Sequence, residues 1–322
     1  MTDRADEYMG RSILSRRNAL AAASLGALAA CAPARPAAQP APTGASNPAT
    51  LPGTQVFDLD SRAVGGAFRI YVAPPAPPPV NARWKPFEEQ DGYPVLYAAD
   101  ANMSFAMIAQ IAQLMQAGQD VTPFWVVGIG YPTEELGDIF RLRQRDMTPT
   151  RGPLPQAALA PGGGSAKFRS FIQTELKPEI ARRFKPLPDR SCWVGASHGG
   201  AFGIETLFSE PDVFDAVIAI DPSNWDNSVW ERSVTAYTAV NKALAKTLYV
   251  SIAYWTEDNV ADETFRRMLQ ATAVRHEEFL ADLGARGLEG LRLQVDMFRG
   301  ESHFSVAPAS FAKGLRLIYG LR

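Results

Sequence analysis

The 322-residue chain is long enough to bury one large α/β core. Its 46% hydrophobic and 20% charged residues exclude a chain disordered throughout, a collagen-like fibre and a multi-span membrane protein. A formal net charge of -2 removes the long-range field that would gather nucleic acid, and two cysteines, Cys31 and Cys192, cannot build a disulfide scaffold.

The first element is an address. Ser15 to Cys31 reads SRRNALAAASLGALAAC, with basic residues, an apolar run and then small residues, the three parts of an export signal. The run Ala19 to Ala30 is about a dozen residues, against roughly 20 needed to cross a bilayer. Arg16 and Arg17 resemble a twin-arginine signal, although Ala19 stands where that pattern prefers Phe and the general secretory route stays open. Leu28-Ala29-Ala30-Cys31 resembles a lipobox, which implies Cys31 as the lipidated first residue of the mature chain. Ala32, rather than Asp, follows it, and by resemblance this favours outer-membrane retention. The Pro/Ala-rich stretch after Cys31 reads as a tether. The expected organisation is an export signal over 1–30, a tether over 31–50 and a catalytic domain over 51–322, giving a periplasmic, lipid-anchored protein.

In the body, short apolar runs alternate with longer amphipathic ones, the pattern of a mostly parallel sheet with helices on both faces, hence fold class α/β. Val56 to Asp60 and Phe68 to Ala73 read as an opening strand pair, ended by the prolines from Pro74 to Pro79. Pro94 to Ala99, Phe124 to Gly128, Cys192 to Gly195, Ala216 to Ile220, Leu248 to Ala253 and Leu291 to Phe298 complete about eight strands. Lys167 to Phe184 and Thr264 to Leu283 carry apolar residues at helical spacing. Tyr131 to Gly164, polar and broken by prolines and glycines, reads as a long ordered loop beside the site.

The sharpest motif is Gly195-Ala196-Ser197-His198-Gly199-Gly200, between the apolar strand Cys192-Trp193-Val194 and the helical run Ala201 to Phe208. A tight strand-to-helix turn lifts a serine into a cleft, and small residues two before and two after it avoid clashes. The amide of His198 then faces a developing oxyanion. Ser197 is the candidate nucleophile.

A serine hydroxyl needs an imidazole to take its proton, and the chain has three histidines. The side chain of His198 points away from that proton. His276, mid-helix in Val-Arg-His-Glu-Glu-Phe, reads as a solvated surface residue. His303 follows the last strand in Gly300-Glu301-Ser302-His303-Phe304, where the hydrolase chain order puts the base. The acid is expected after Leu248 to Ala253, with Glu257 first, Asp258 second, Asp262 and Glu263 in reserve, and a Ser/His dyad as the alternative. So few histidines speak against a metal site.

At these motifs the chain resembles the esterase-D-like or enterochelin-esterase-like branch of the α/β-hydrolases, over about Val56 to Tyr319. The matching stretches are Tyr93-Pro-Val-Leu-Tyr with Asp100-Ala-Asn102, Val126-Val-Gly-Ile-Gly-Tyr-Pro132, Arg143-Gln-Arg-Asp-Met-Thr-Pro149, Gly195-Ala-Ser-His-Gly-Gly200 and Gly300-Glu-Ser-His303. The resemblance implies an α/β-hydrolase fold in a single domain. It also implies a second oxyanion amide at Ala101, where the family usually has Gly, and a substrate-facing arginine at Arg145. Asp100 and Trp225 join the candidate substrate contacts. The family's acid, usually a Glu after the seventh strand, has no clean counterpart, since Ala253-Tyr254-Trp255 stands where a Gly-Glu pair is common.

Two-step acyl transfer follows, with Ser197 attacking an ester, His303 relaying the proton and no cofactor implied. The partner is a small-molecule ester. By resemblance it is a siderophore-type lactone or related hydroxy-acid ester, with a feruloyl or other aryl ester close behind. Acyl transfer to an envelope alcohol, and a lipid-anchored binding protein holding an aromatic anion with Trp225, Trp255 and the arginines, are the rivals.

Overall fold

The computed structural model describes residues 50–76, 92–149, 162–187, 190–223, 229–256, 258 and 260–321. Its opening strands β1 (Gln55–Ser61) and β2 (Gly66–Ala73) pair antiparallel as a hairpin, and β2 pairs antiparallel with β4 (Trp125–Gly130). The parallel part consists of β3 (Val95–Ala98), β4, β5 (Ser191–Ala196), β6 (Ala216–Ile220), β7 (Thr247–Tyr254) and β8 (Arg292–Arg299). The resulting eight-stranded sheet runs β1-β2-β4-β3-β5-β6-β7-β8. The chain steps from β3 outward to β4 and returns to the other side of β3 with β5. That reversal opens a crevice beyond the carboxyl ends of β3 and β5.

Strand composition follows position. β3 and β6 are buried along their whole length and are apolar throughout (VLYA, AVIAI), because both faces are covered. Edge strand β1 instead alternates, with Phe57 and Leu59 turned to the core and Val56 and Asp58 exposed.

Helices cover both faces. On one lie α1 (Ala101–Ala117) and α8 (Ala307–Tyr319), whose Phe105, Ile108, Phe311 and Leu315 pack on Leu96, Val194 and Ile218. The other is covered by α3 (Ser165–Phe171), a π turn (Ile172–Leu176), α4 (Lys177–Phe184), α5 (His198–Ser209), α6 (Val229–Val240) and α7 (Glu263–Ala285). The helix expected over Lys167 to Phe184 is present, but the π turn divides it.

Two readings change. The stretch Tyr131 to Gly164 is not loop throughout: Leu136–Met147 forms helix α2. Its buried residues Ile139, Arg143 and Met147 recur every four positions, a helical face whose central member is charged, so the apolar signal is broken. His276 is not a surface residue. It is 3% exposed, its ring meeting Trp230 edge-on at 5.1 Å and its Nε2 lying 3.5 Å from Glu231. The expected export signal, the Cys31 acceptor and the tether up to residue 49 lie outside the described residues, as do Trp225 and Glu257.

Candidate active site

The turn after β5 is the elbow that the motif foretells. Ser197 has φ 57° and ψ -120°, and α5 begins at the next residue. Such a backbone costs a non-glycine residue about 1–3 kcal/mol and persists only where its surroundings impose it. Here Ser197 N–H donates to the Ile220 carbonyl at 3.0 Å, and Ser223 N–H donates to the Ser197 carbonyl at 3.0 Å. The flanking glycines permit the turn: a Cβ at Gly195 would stand 2.4 Å from the Gly199 carbonyl carbon, and one at Gly199 would stand 3.0 Å from Cβ of Ala99.

Between the two residues that hold Ser197 sits Asp221, the first residue past β6, itself at φ 41°. Its amide donates to the Ser251 carbonyl at 2.8 Å, and its Oδ1 accepts from Ala253 N–H at 3.0 Å. The remaining oxygen, Oδ2, lies 2.5 Å from Nδ1 of His303. His303 stands in the turn between β8 and α8, half-buried, with Phe304 edge-on to its ring at 5.6 Å. A carboxylate on Nδ1 fixes the tautomer that leaves Nε2 free to accept a proton, and it stabilises the imidazolium once formed.

The two amides expected at an oxyanion position both stand at helix starts. Those of His198 and Ala101 open α5 and α1 and have no acceptor within their helices. The left-handed residue is Asp100, at φ 57° and ψ 37°, not Ala101, so alanine in place of glycine costs the backbone nothing here. Asn102 fastens this corner to the end of β4. Its Nδ2 donates to the Tyr131 and Thr133 carbonyls at 2.8 and 3.0 Å, and its Oδ1 accepts from Tyr131 N–H at 2.7 Å.

Beneath both amides lies a buried cation. Arg143 of α2 donates from Nε and Nη2 to the two Asp100 oxygens at 2.7 and 2.9 Å, from Nη1 to Nδ1 of His198 at 3.3 Å, and from Nη2 to the Ala196 carbonyl at 3.4 Å. Burial opposes its charge, but the Asp100 carboxylate more than offsets this and raises the guanidinium above its ordinary pKa. His198 is pushed the other way. Burial first, then the charges of Arg143 and His303, lower its imidazole to about 3, so it is neutral at physiological pH.

The sequence-derived assignments divide accordingly. His303 is tied through Asp221 to the end of β6, whose Ile220 carbonyl accepts from Ser197 N–H, while the amides of His198 and Ala101 open α5 and α1. The acid position does not go to the loop after β7: Nδ1 of His303 is taken by Asp221, after β6. Asp262 instead caps α7 by accepting from Phe265 N–H at 2.7 Å, and Asp258 is exposed. Asp100 is no free substrate contact, because Arg143 occupies both its oxygens. Arg145 is engaged bidentately by Asp146 at 2.7 and 2.9 Å. Asp146 is 1% exposed, and it is the partner that needs the charge. Arg143, two positions earlier, is the arginine at the elbow. Both residues that sequence reasoning missed had a signal. Asp221 is the first polar residue after a fully apolar strand, and Arg143 interrupts the apolar face of a helix. Among the described residues, no group of three or more His, Cys, Asp or Glu could hold a metal.

Comparison with known proteins bears on the family and the fold. The family model described as "Putative esterase" matches residues 79–298, more than half of the chain. The ferri-bacillibactin esterase BesA of Bacillus subtilis is 29% identical over 281 residues, covering 85% of this chain and 92% of that protein. The siderophore triacetylfusarinine C esterase of Aspergillus fumigatus is 28% identical, covering 84% and 95%. The crystal structure of the BES protein from Bacillus cereus superposes with a TM-score of 0.70 at 24% identity, covering 87% of this chain and 99% of that one, a likeness of fold. An elbow serine, a histidine braced by a carboxylate and a paired set of helix-start amides are thus carried by a chain that belongs to the esterase family and has the α/β-hydrolase fold.

Proposed function

We propose that this chain hydrolyses the ester bonds of a siderophore, a lactone or related hydroxy-acid ester, through an acyl-enzyme on Ser197. The observation that carries this reading is the 2.5 Å contact between Asp221 and Nδ1 of His303, one residue beyond the strand end that holds Ser197. His303 takes the Ser197 proton as the oxygen attacks the ester carbonyl, and Asp221 stabilises the imidazolium so formed. The amides of His198 and Ala101 receive the oxyanion. His303 then protonates the leaving alcohol, and water repeats the sequence to release the acid. The siderophore as substrate rests on the two curated relatives, whose names specify siderophore esters. The test is hydrolysis of a tri-catecholate lactone, followed by mass analysis, with wild type and Ser197→Ala. Linear fragments from wild type alone support the reading, whereas equal turnover by Ser197→Ala removes Ser197 from the mechanism.

The same enzyme is proposed to work at the periplasmic face of a membrane, anchored through lipidated Cys31. Support comes from the basic, apolar and small-residue order of Ser15 to Cys31. Cys31→Ser should move the protein from the membrane fraction to the soluble one.

A further inference from the structure

We propose that His198 contacts the substrate through its side chain as well as its amide: a neutral imidazole, locked by Arg143, donates its Nε2–H to an oxygen of the bound ester beside the scissile carbonyl. This rests on the Ser197 acyl-enzyme reading.

A guanidinium only donates, so the His198 nitrogen facing Nη1 of Arg143 at 3.3 Å carries a lone pair. Arg143 cannot turn aside, being held by both Asp100 oxygens and by the Ala196 carbonyl. The proton of the neutral ring therefore sits on Nε2. Protonating Nδ1 as well would press an N–H against a buried guanidinium, which is why burial, Arg143 and His303 together hold the group uncharged. Nε2 has no hydrogen-bond partner among the described residues, nor does it belong to their sealed, unpaired polar atoms. The ring is half-buried, belongs to the residue next to Ser197 and is close enough to His303 to feel its charge. Arg143 is the positioning residue that sets this donor.

A fixed donor beside a reaction centre favours a substrate that offers an acceptor there and rejects one that leaves the N–H dry. The chemical class is an ester with an ether, hydroxyl or carbonyl oxygen one or two bonds from the ester carbonyl. p-Nitrophenyl methoxyacetate and p-nitrophenyl butyrate form a matched pair, differing by an oxygen in place of a methylene.

The experiment measures kcat/KM for both esters. The methoxyacetate-to-butyrate ratio should fall about fivefold in His198→Phe, the worth of one neutral hydrogen bond, and should be largely restored in His198→Gln, whose amide reaches the Nε2 position. An unchanged ratio in an active His198→Phe overturns the proposal. Ser197→Ala separates the two levels: if it kills both activities while His198→Phe keeps the ratio, only the His198 role fails, and if it keeps both, the acyl-enzyme reading fails. Nitrogen NMR of the labelled wild-type protein gives a readout independent of variant folding. A His198 ring protonated on Nε2 alone between pH 5 and 8 is expected, and a proton on Nδ1 in that range sinks the idea.

Discussion

His303 and Asp221 stand 82 residues apart in sequence, yet the imidazole Nδ1 and the carboxylate Oδ2 lie 2.5 Å apart, with the second carboxylate oxygen tied to the Ala253 amide. On the proposed mechanism Asp221 is therefore the group that orients His303. Asp221→Asn should keep the fold and lower kcat by about 10²- to 10⁴-fold with little change in KM, because the amide presents the wrong partner to Nδ1. Glu257→Gln and Asp258→Asn should stay within about threefold of wild type, the scale of a changed loop charge. Steady-state kinetics on one p-nitrophenyl ester decides between the two acid positions.

The elbow stores strain at Ser197 that a glycine would relieve. Ser197→Gly should be inactive but more stable than Ser197→Ala, by about 1 kcal/mol. For a domain of this size that corresponds to a rise in Tm of about 2–4 °C, read by thermal melts of the two inactive variants side by side.

Arg143 and Arg145, two of the three arginines of α2, should respond differently to removal. Arg143→Met leaves the Asp100 carboxylate buried without its cation and should cost about 3–5 kcal/mol in urea unfolding, while kcat/KM falls because the corner bearing Ala101 loosens. Asp146 retains the Tyr131 hydroxyl when Arg145 is removed, and burial already raises its pKa, so it can take a proton. Arg145→Gln should therefore cost about 1 kcal/mol and change KM by less than about twofold. A large rise in KM for Arg145→Gln would restore it as a substrate contact.

Acid should weaken the fold through its buried imidazoles. An unfolded His198 takes a proton near 6.5, whereas the folded one resists it until about 3. Between those values the unfolded chain holds more protons, so stability is lost as the pH falls through that window and returns as it rises. His276, lowered chiefly by burial, contributes with the same sign. Urea midpoints at pH 7 and pH 4.5 should differ less in His198→Gln than in wild type.

Much of this was legible in the residue order. The strands of the core could be read because burial on both faces forces continuous apolar runs, as in Ala216–Ile220. The elbow could be read because its steric demands fall on a fixed pattern of small residues. What escaped was set by three-dimensional neighbours. A carboxylate after β6 and one after β7 look alike in sequence, and only the parallel pairing that places Asp221 beside Ala253 and His303 distinguishes them. Arg143 and Arg145 differ by two positions on a helix, a rotation of about 200° that sends one under the elbow and the other to Asp146.

The three bonds of Asn102 have a wider consequence. They join the start of α1 to β4, while β3 and β5 are neighbours in the ladder, so the gap between the two oxyanion amides is a spacing of the sheet itself. That spacing is set by the sheet together with the Arg143–Asp100 pair beneath it. Loop segments that carry none of Asp100, Arg143, Ser197, Asp221 and His303 can change to grip different molecules without moving that spacing, which separates the evolution of reach from that of chemistry.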